Sequence, residues 1–482
     1  MKDKVALFNV SDFVRRSRFS SLGLAYIASY LRKFSTHNDI SIVEGDGMRK
    51  LEFLKPDIVG LFSVSQSFNE ACAVAGAIKR RYGIPVIVGG YHISALPQTL
   101  PDAFDIGVIG EGEETMKELV DVLAASGLDR ERLRSVRGIA FRDTDGRVRV
   151  TPERGYIRDL DSIPLPARDL QEPSAFPSII TSRGCPYRCI FCSSVKYWGA
   201  PRFHSPGYVV NEIKDIIARY YPVHISIWDD LFIANRARLE AICGLLKKDR
   251  INKKVSFGCA VRSNLVTPEL CRLLRDMNIR RVSIGFESGS ARILSMLKCN
   301  SVTVEQHVRA VELLKKAGIF TTGTFMIGSP TETEQDLRDT LNLITRLKLR
   351  GGGSISLAAP LPGTELWAYA KQKGLLDERT NPSMLGLMST DFAAPEQFKG
   401  ILLTDQVPRN VFFKLAQEMQ RQSNKYYIRG LFHYSNLSWT NIRFVFARPA
   451  EVLAMVRYLV KSLFKKASLM ERYVFYYKKM AD

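Results

Sequence analysis

From Pro177 to Ser194 the chain reads PSIITSRGCPYRCIFCSS. A short run rich in β-branched residues gives way to a tight loop carrying Cys185, Cys189 and Cys192 in C-x-x-x-C-x-x-C spacing. Three thiolates on one loop can hold three irons of a 4Fe-4S cubane and leave the fourth iron open to a small chelating molecule. The alternatives are a zinc site or a chance grouping. Structural zinc wants four ligands, usually in C-x-x-C pairs, and no His follows closely after Cys192, so the spacing favours the cluster.

Downstream of this loop, further apolar runs recur: HISIWDD, VSFGCAVRS, RRVSIGFESGS, TTGTFMIGSP and SISLAAPLPGT. Amphipathic stretches such as VVNEIKDIIARYY and ELCRLLRDM separate them. With PSIITSRGC they make six strand–helix units, predicting a partial (β/α)6 barrel over 171–390 with its working residues at the C-terminal strand ends. Upstream, over 1–126, VALFNV, ISIVEGD, DIVGLFSV, PVIVGG and DIGVIGEG alternate with helical segments such as LGLAYIASYLRKF. That rhythm predicts an α/β, doubly wound parallel sheet covered on both faces. The segment 127–170 reads as a linker, with a hairpin turning at Asp145-Gly146 and an extended Pro-containing stretch, SIPLPARDL. Over 391–482 the beat stops, and a helical, basic C-terminal region is expected.

The chain has 482 residues, enough for two or three compact domains. Its 46% hydrophobic and 24% charged residues are ordinary globular values, and no apolar stretch is long enough to cross a bilayer. The start, MKDKVALFNVSDF, resembles a first strand more than a secretory signal, so a cytoplasmic protein is expected. Eight cysteines in this length do not make a disulfide framework; Cys72, Cys243, Cys259, Cys271 and Cys299 read as small hydrophobes within apolar or helical patterns. A formal charge of +20 favours anionic partners without choosing among them.

The pattern C-x-x-x-C-x-aromatic-C, with Phe191 as the aromatic, resembles the signature of the radical S-adenosylmethionine (SAM) superfamily, and the likeness extends from Ser178 to about Thr364. It implies a 4Fe-4S cluster whose open iron chelates SAM, and reductive cleavage of SAM to a 5′-deoxyadenosyl radical. It further implies SAM contacts from Asp230, preferred over Asp229, at the end of ISIWDD. This sequence departs there from the family's Gly-Gly-Glu form. Arg262 would take the SAM carboxylate with its guanidinium fork, Glu287 in GFESGS would accept from the ribose hydroxyls, and Gly328 and Pro330 in GTFMIGSP would lie beside adenine.

The first 120 or so residues, with SSLGLAYIASYLRKF, DIVGLFSVSQSFNEA, GGYHISALP and IGEGEET, look like the cobalamin-binding domain found upstream of many radical SAM barrels. Open parallel sheets bind ligands beyond the C-terminal ends of their strands, so Ser63, Ser65, Gly90, His92 and Gly110 are the candidate contacts. No D-x-H-x-x-G motif is present, which argues against histidine ligation of cobalt more than against binding.

The two resemblances together imply a cobalamin-dependent C-methyltransferase. A non-methylating cyclisation, rearrangement or oxygen insertion is the alternative within the family. A non-catalytic iron–sulfur protein associated with membrane or nucleic acid is the alternative outside it. A small-molecule or lipid-like substrate and an external electron donor such as flavodoxin or ferredoxin are expected. From Leu402 to Asp482 the chain has 14 Lys or Arg against 5 Asp or Glu. A helix with an apolar face and a basic flank there could contact an anionic membrane peripherally, while no recognised RNA-binding module accompanies the charge.

Overall fold

In the computed structural model, residues 4–10, 21–37, 39–44, 47–171, 177–349, 351–386, 392 and 395–433 are described, with the backbone alone for 397 and 427–433. The basic stretch beyond His433, and with it the expected membrane-facing helix, lies outside the described residues.

The first sheet contains β1 (Lys4–Asn9), β2 (Asp39–Val43), β3 (Ile58–Phe62), β4 (Val86–Gly89), β5 (Ile106–Val108), β6 (Ile139–Arg142) and β7 (Val148–Val150), in the order β2-β1-β3-β4-β5-β6-β7. From β2 to β5 the pairs are parallel. Their near-continuous Val, Ile and Leu content suits burial on both faces. On one face Leu24, Ala28 and Leu31 join Met116, Leu119 and Leu123; on the other Phe68, Ala71, Ala75 and Ile78 cover Val59 and Val88.

The hairpin at Asp145-Gly146 forms, but it is not a free linker. β6 pairs antiparallel with β5 and extends the first sheet. Sequence reading misses this because a hairpin's own pattern does not say which edge it joins. SIPLPARDL is likewise tied down: Ala167 N–H donates to Ala25 O at 3.0 Å, and Arg168 donates to Ser178 O at 2.7 Å and to Glu212 at 2.5 Å.

The second sheet holds β8 (Ser178–Ile179), β11 (His224–Ile227), β12 (Ser256–Val261), β13 (Ile279–Glu287), β14 (Phe320–Ile327) and β15 (Gly353–Leu357), every neighbour parallel and in chain order. This is the six-unit arrangement expected of the partial barrel. Its helices begin at residues chosen for it: Ser205 and Thr267 accept from N–H groups at positions whose first helical residue is Pro, and Thr303 and Thr333 form capping boxes, each worth about 1 kcal/mol. One face of the sheet, with Ile225, Phe257, Ile284, Phe325 and Ile355, packs into the large core beneath the helices.

The opposite face is built differently. Register aligns Ser283 with Thr322, and Gly285 with Thr324 and Ser354; these hydroxyl residues, with Ser226 and Ser356, are only half-buried. Among the described residues, the hydroxyls of Ser226, Ser283, Thr324 and Ser354 have no hydrogen-bond partner within the chain. A wall of half-buried hydroxyls, four of them without a partner among the described residues, therefore lines this face of the sheet.

Candidate active site

Between the two sheets, β9 (Ser182–Arg183) pairs antiparallel with β10 (Arg202–Phe203). This short ribbon brackets the loop that carries all three clustered cysteines. The loop is stapled from below: Ile190 N–H donates to Leu297 O at 3.1 Å, Glu365 N–H donates to Ile190 O at 3.1 Å, and Cys192 N–H closes on Cys189 O at 3.0 Å. Helix ends at Leu297 and Glu365 thus position a loop that has little structure of its own.

Cys185, Cys189 and Cys192 are free and half-buried. Burial raises the Cys185 thiol and pushes Cys192 up to about 11, with the charge of Asp230 adding to both. Among the described residues no three His, Cys, Asp or Glu side chains close tightly enough around a point to hold a single metal ion. Thiolates sharing one zinc would sit about 3.8 Å apart, given a Zn–S bond of about 2.3 Å. A cubane gives each thiolate its own iron, so three thiolates on one loop can serve it without converging on a point.

Of the residues expected to hold SAM, Asp230 and Arg262 stand beside this loop. Asp229 is 4% exposed and accepts from Thr181 N–H and Oγ1 at 2.5 Å each and from Ser182 Oγ at 2.6 Å. It is consumed in tying the end of β11 to the start of β9 and the residue before it. Asp230 is exposed and accepts from Ser194 Oγ at 2.6 Å, beside the third cysteine, so of the pair it is the one free to meet a ligand.

Arg262 reaches Cys189 Sγ at 3.4 Å and donates to Ser301 Oγ. Its guanidinium lies 3.8 Å from the centre of the Tyr187 ring, a ring that Asn264 fixes by donating to its hydroxyl at 2.9 Å. Its buried Nε has no partner, which leaves donor capacity for an anion at the cluster.

Glu287 is held by two features that periodicity does not reveal. The register of β13 against β14 shifts between Gly285 and Glu287, and Glu287 itself has φ +61°, a left-handed conformation rare for a non-glycine residue. The bulge re-aims the side chain. Its carboxylate pairs with Lys298 Nζ at 2.8 Å, both side chains being almost fully buried. Gly285 leaves the room: a Cβ there would lie 2.2 Å from Glu287 Oε1.

At the end of β14, Gly328 has φ +78°; its N–H and that of Ser329 donate to Glu332 Oε2 at 2.5 and 3.0 Å. A Cβ at 328 would make only ordinary contacts with Phe412, Leu357 and Leu402. Backbone conformation, rather than the close approach expected of it, is what calls for glycine there. Pro330 follows, buried.

The candidate contacts of the first sheet gather at the C-terminal ends of β3, β4 and β5. Gly90 has φ +115° and sits so close to β3 that a Cβ would lie 2.2 Å from Ser63 O. Ser63 Oγ lies 3.0 Å from Ser67 Oγ, and Ser65 Oγ lies 3.0 Å from His92 Nδ1. His92 is 5% exposed, packs on Phe68 with ring centres 4.0 Å apart, and is pushed down to about 4 by burial. It is a neutral, hydrogen-bonded ring. Gly110, with φ +78°, receives Ser94 Oγ as acceptor for its N–H at 3.0 Å.

Sequence reasoning passed over Lys298, Tyr187 and the charged set Glu111, Glu113, Arg183 and Arg202. Lys298 reads as the solvated end of a helix, and IGEGEET reads as a glycine turn. Only burial reveals these charges as paired: Arg183 donates to Glu111 at 2.7 Å and to Glu113, and Arg202 donates to Glu111 at 2.9 Å.

Two family descriptions match the chain: B12 binding domain over residues 13–120 and Radical SAM superfamily over residues 179–344. The uncharacterized methyltransferase PH0819 of Pyrococcus horikoshii is 32% identical over 375 residues, spanning 74% of this chain and 79% of that protein. This chain belongs to the radical SAM superfamily. It is a cobalamin-dependent radical SAM enzyme, and its cofactors are a 4Fe-4S cluster, SAM and cobalamin. The anaerobic magnesium-protoporphyrin IX monomethyl ester cyclase of Rubrivivax gelatinosus is 30% identical over 342 residues, spanning 66% of this chain and 61% of that protein. In fold, the enzyme resembles the radical SAM methyltransferase TsrM of Kitasatospora setae, with TM-score 0.63 at 20% identity over 77% of this chain and 75% of that one. It also resembles the cobalamin-dependent radical enzyme OxsB, with TM-score 0.61 at 21% identity over 72% of this chain and 52% of that one.

Proposed function

We propose that this enzyme is a C-methyltransferase for a small molecule bearing hydrogen-bonding groups. One observation carries the reading: the glycine turns of the first sheet abut the cysteine loop. Tyr197 OH donates to Gly110 O at 2.8 Å and Trp198 Nε1 donates to Tyr91 OH at 3.1 Å. A methyl carrier on one edge and a radical source on the other would then face a single mouth, the arrangement that methyl transfer to a substrate radical needs. The cofactors supply the hydrogen-abstracting radical and the methyl group; the chain binds, orients and excludes water.

In this reading Cys185, Cys189 and Cys192 hold the cluster, and Asp230, Arg262, Glu287, Gly328 and Pro330 serve SAM. Ser63, Ser65, Gly90, His92 and Gly110 serve the corrin, with His92 shaping the turn from beneath instead of ligating cobalt. The hydroxyl wall of β11–β15 leads down from that mouth. Free Ser and Thr hydroxyls would each lose water without compensation against a bare hydrocarbon, so the wall favours a hydroxyl-, carbonyl- or amide-bearing substrate. Relatives include a hopanoid C-2 methylase of Rhodopseudomonas palustris and a cytidylyl-2-hydroxyethylphosphonate methyltransferase of Streptomyces wedmorensis; the wall sides with the more polar of these chemistries. The cyclase relative keeps a non-methylating reaction as the competing reading.

The test is to incubate the reconstituted enzyme without oxygen with methyl-deuterated SAM, a reductant and separate polar and apolar fractions of a cell extract. A product carrying the labelled methyl, formed from the polar fraction with matching S-adenosylhomocysteine and 5′-deoxyadenosine, is the expected result. Deoxyadenosine formed with an unlabelled product and no S-adenosylhomocysteine would overturn methyl transfer, and labelling confined to the apolar fraction would overturn the substrate class.

A further inference from the structure

Where the two sheets meet, the chain buries two arginines and two glutamates. The side chains of Arg183, Glu111 and Glu113 are 5–6% exposed and that of Arg202 is 13% exposed. Arg183 spans both carboxylates, while Arg202 donates to Glu111 and to Ile157 O at 2.6 Å. Glu111 also accepts from Ile157 N–H at 2.8 Å. Two positive and two negative charges cancel, and Glu111 accepts at both of its carboxylate oxygens. Desolvation makes such a set no more stabilising than an apolar contact of the same size. What it adds is direction: charge-assisted hydrogen bonds fix orientation and register, where apolar side chains tolerate sliding.

Its place in the chain gives that direction a use. Glu111 directly follows the Gly110 turn of the first sheet, and Arg183 stands two residues before Cys185. On the far side of the cysteine loop, five and six residues after Cys192, Tyr197 donates to Gly110 O and Trp198 to the hydroxyl of Tyr91, which follows the Gly90 turn. The Tyr91 and Tyr197 rings lie 4.1 Å apart, and the Arg183 guanidinium lies 5.3 Å from the Trp198 ring. The flank before the cysteine loop is therefore tied to the Gly110 turn, and the flank after it to both glycine turns of the first sheet.

We propose that Arg183, Glu111, Glu113 and Tyr197 are positioning residues that set the separation and orientation of cobalamin relative to the iron–sulfur cluster. They touch neither reacting atom. They act through the backbone on either side, the cysteine loop on one and the Gly110 turn on the other. The inference needs both cofactors bound at these two edges, but it holds for methyl transfer and for any other radical chemistry.

Spin–spin coupling tests it without knowledge of the substrate. The holoenzyme, loaded with cob(II)alamin and with its cluster reduced by dithionite, carries an unpaired spin on each centre, and pulsed electron paramagnetic resonance reads their distance distribution. The wild type is expected to give a narrow distribution, and Tyr197→Phe, Glu113→Gln and Arg183→Lys broader or displaced ones at unchanged iron and cobalt per chain. Where the reaction is methyl transfer, the same variants are expected to raise the ratio of 5′-deoxyadenosine to S-adenosylhomocysteine, as SAM cleavage loses its match to the methyl carrier. Fully loaded variants with the wild-type distribution would overturn the proposal. If the buried charge changes prevent folding, Tyr197→Phe decides, since it removes a single oxygen; loss of cobalamin from that variant with the cluster intact would also overturn positioning in favour of simple binding.

Discussion

At the scale of single residues, Glu332 is the most exposed to test because its environment fights its charge. It is fully buried, and Oε1 has no partner although Oε2 accepts from two backbone N–H groups. Burial pushes its carboxyl up to about 8, against the two backbone hydrogen bonds that favour the charged form. Between pH ~4.5 and about 8 the unfolded chain releases a proton that the folded chain keeps, so stability is lost as pH rises, by up to roughly 1.4 kcal/mol per pH unit. Glu332→Gln keeps an oxygen for the Gly328 and Ser329 N–H groups. It is expected to unfold at higher temperature than wild type at pH 8 and to lose that advantage by pH 5, as calorimetry would show. Arg168 and Glu212 give the opposite lesson. Their side chains are 5% and 2% exposed and 2.5 Å apart, and Arg168→Ala would strand a buried carboxylate; the expected loss is about 3–5 kcal/mol in urea unfolding.

At the scale of elements, the two glycine turns and the hydroxyl wall carry the predictions. Gly90→Ala meets both a φ of +115° and the carbonyl of Ser63, so the β4 turn must move away from β3. Loss of bound cobalt with iron retained at about four per chain, the content of one 4Fe-4S cluster, is expected by metal analysis of the anaerobic protein. The wall behaves differently at Thr324, whose hydroxyl, unlike those of Thr322 and Ser356, bonds nothing among the described residues. Thr324→Val is expected to leave the unfolding midpoint within about 0.5 kcal/mol of wild type. Its KM for the methyl acceptor should rise roughly five- to tenfold, the worth of one hydrogen bond of ~1–1.5 kcal/mol.

At the scale of the whole molecule, three buried histidines and the half-buried His224 make acid the weak direction. Burial pushes His92, His204 and His224 down to about 4 and His307 to about 3. In the unfolded chain each titrates near about 6.5. As pH falls from ~6.5 towards ~4 the unfolded chain takes up protons that the folded chain refuses, at a cost of up to roughly 1.4 kcal/mol per pH unit for each histidine. The unfolding temperature is therefore expected to drop steeply from pH 7 to pH 5. A matching rise on acidification would remove the histidines as the cause.

The sequence by itself determined the strand–helix order of both sheets, the six-unit barrel and the three-cysteine loop. Those are local patterns: apolar runs of strand length, caps at helix starts, and spacing on one loop, all set by neighbours within a few residues. The resemblance to the radical SAM superfamily also pointed to Asp230 over Asp229, Arg262 and Glu287 as candidates, each at or near the end of a strand. Only the tertiary structure decided that the 139–150 hairpin completes the first sheet, that Lys298 faces Glu287 across a bulge, and that Glu111 and Glu113 neutralise Arg183 and Arg202 between the sheets. Each joins residues beyond the reach of a local window, from eleven positions apart for Glu287 and Lys298 to 91 for Glu111 and Arg202. A charged side chain reads as solvated in any local window, and whether it is solvated or paired depends on which surfaces the fold brings together and dries.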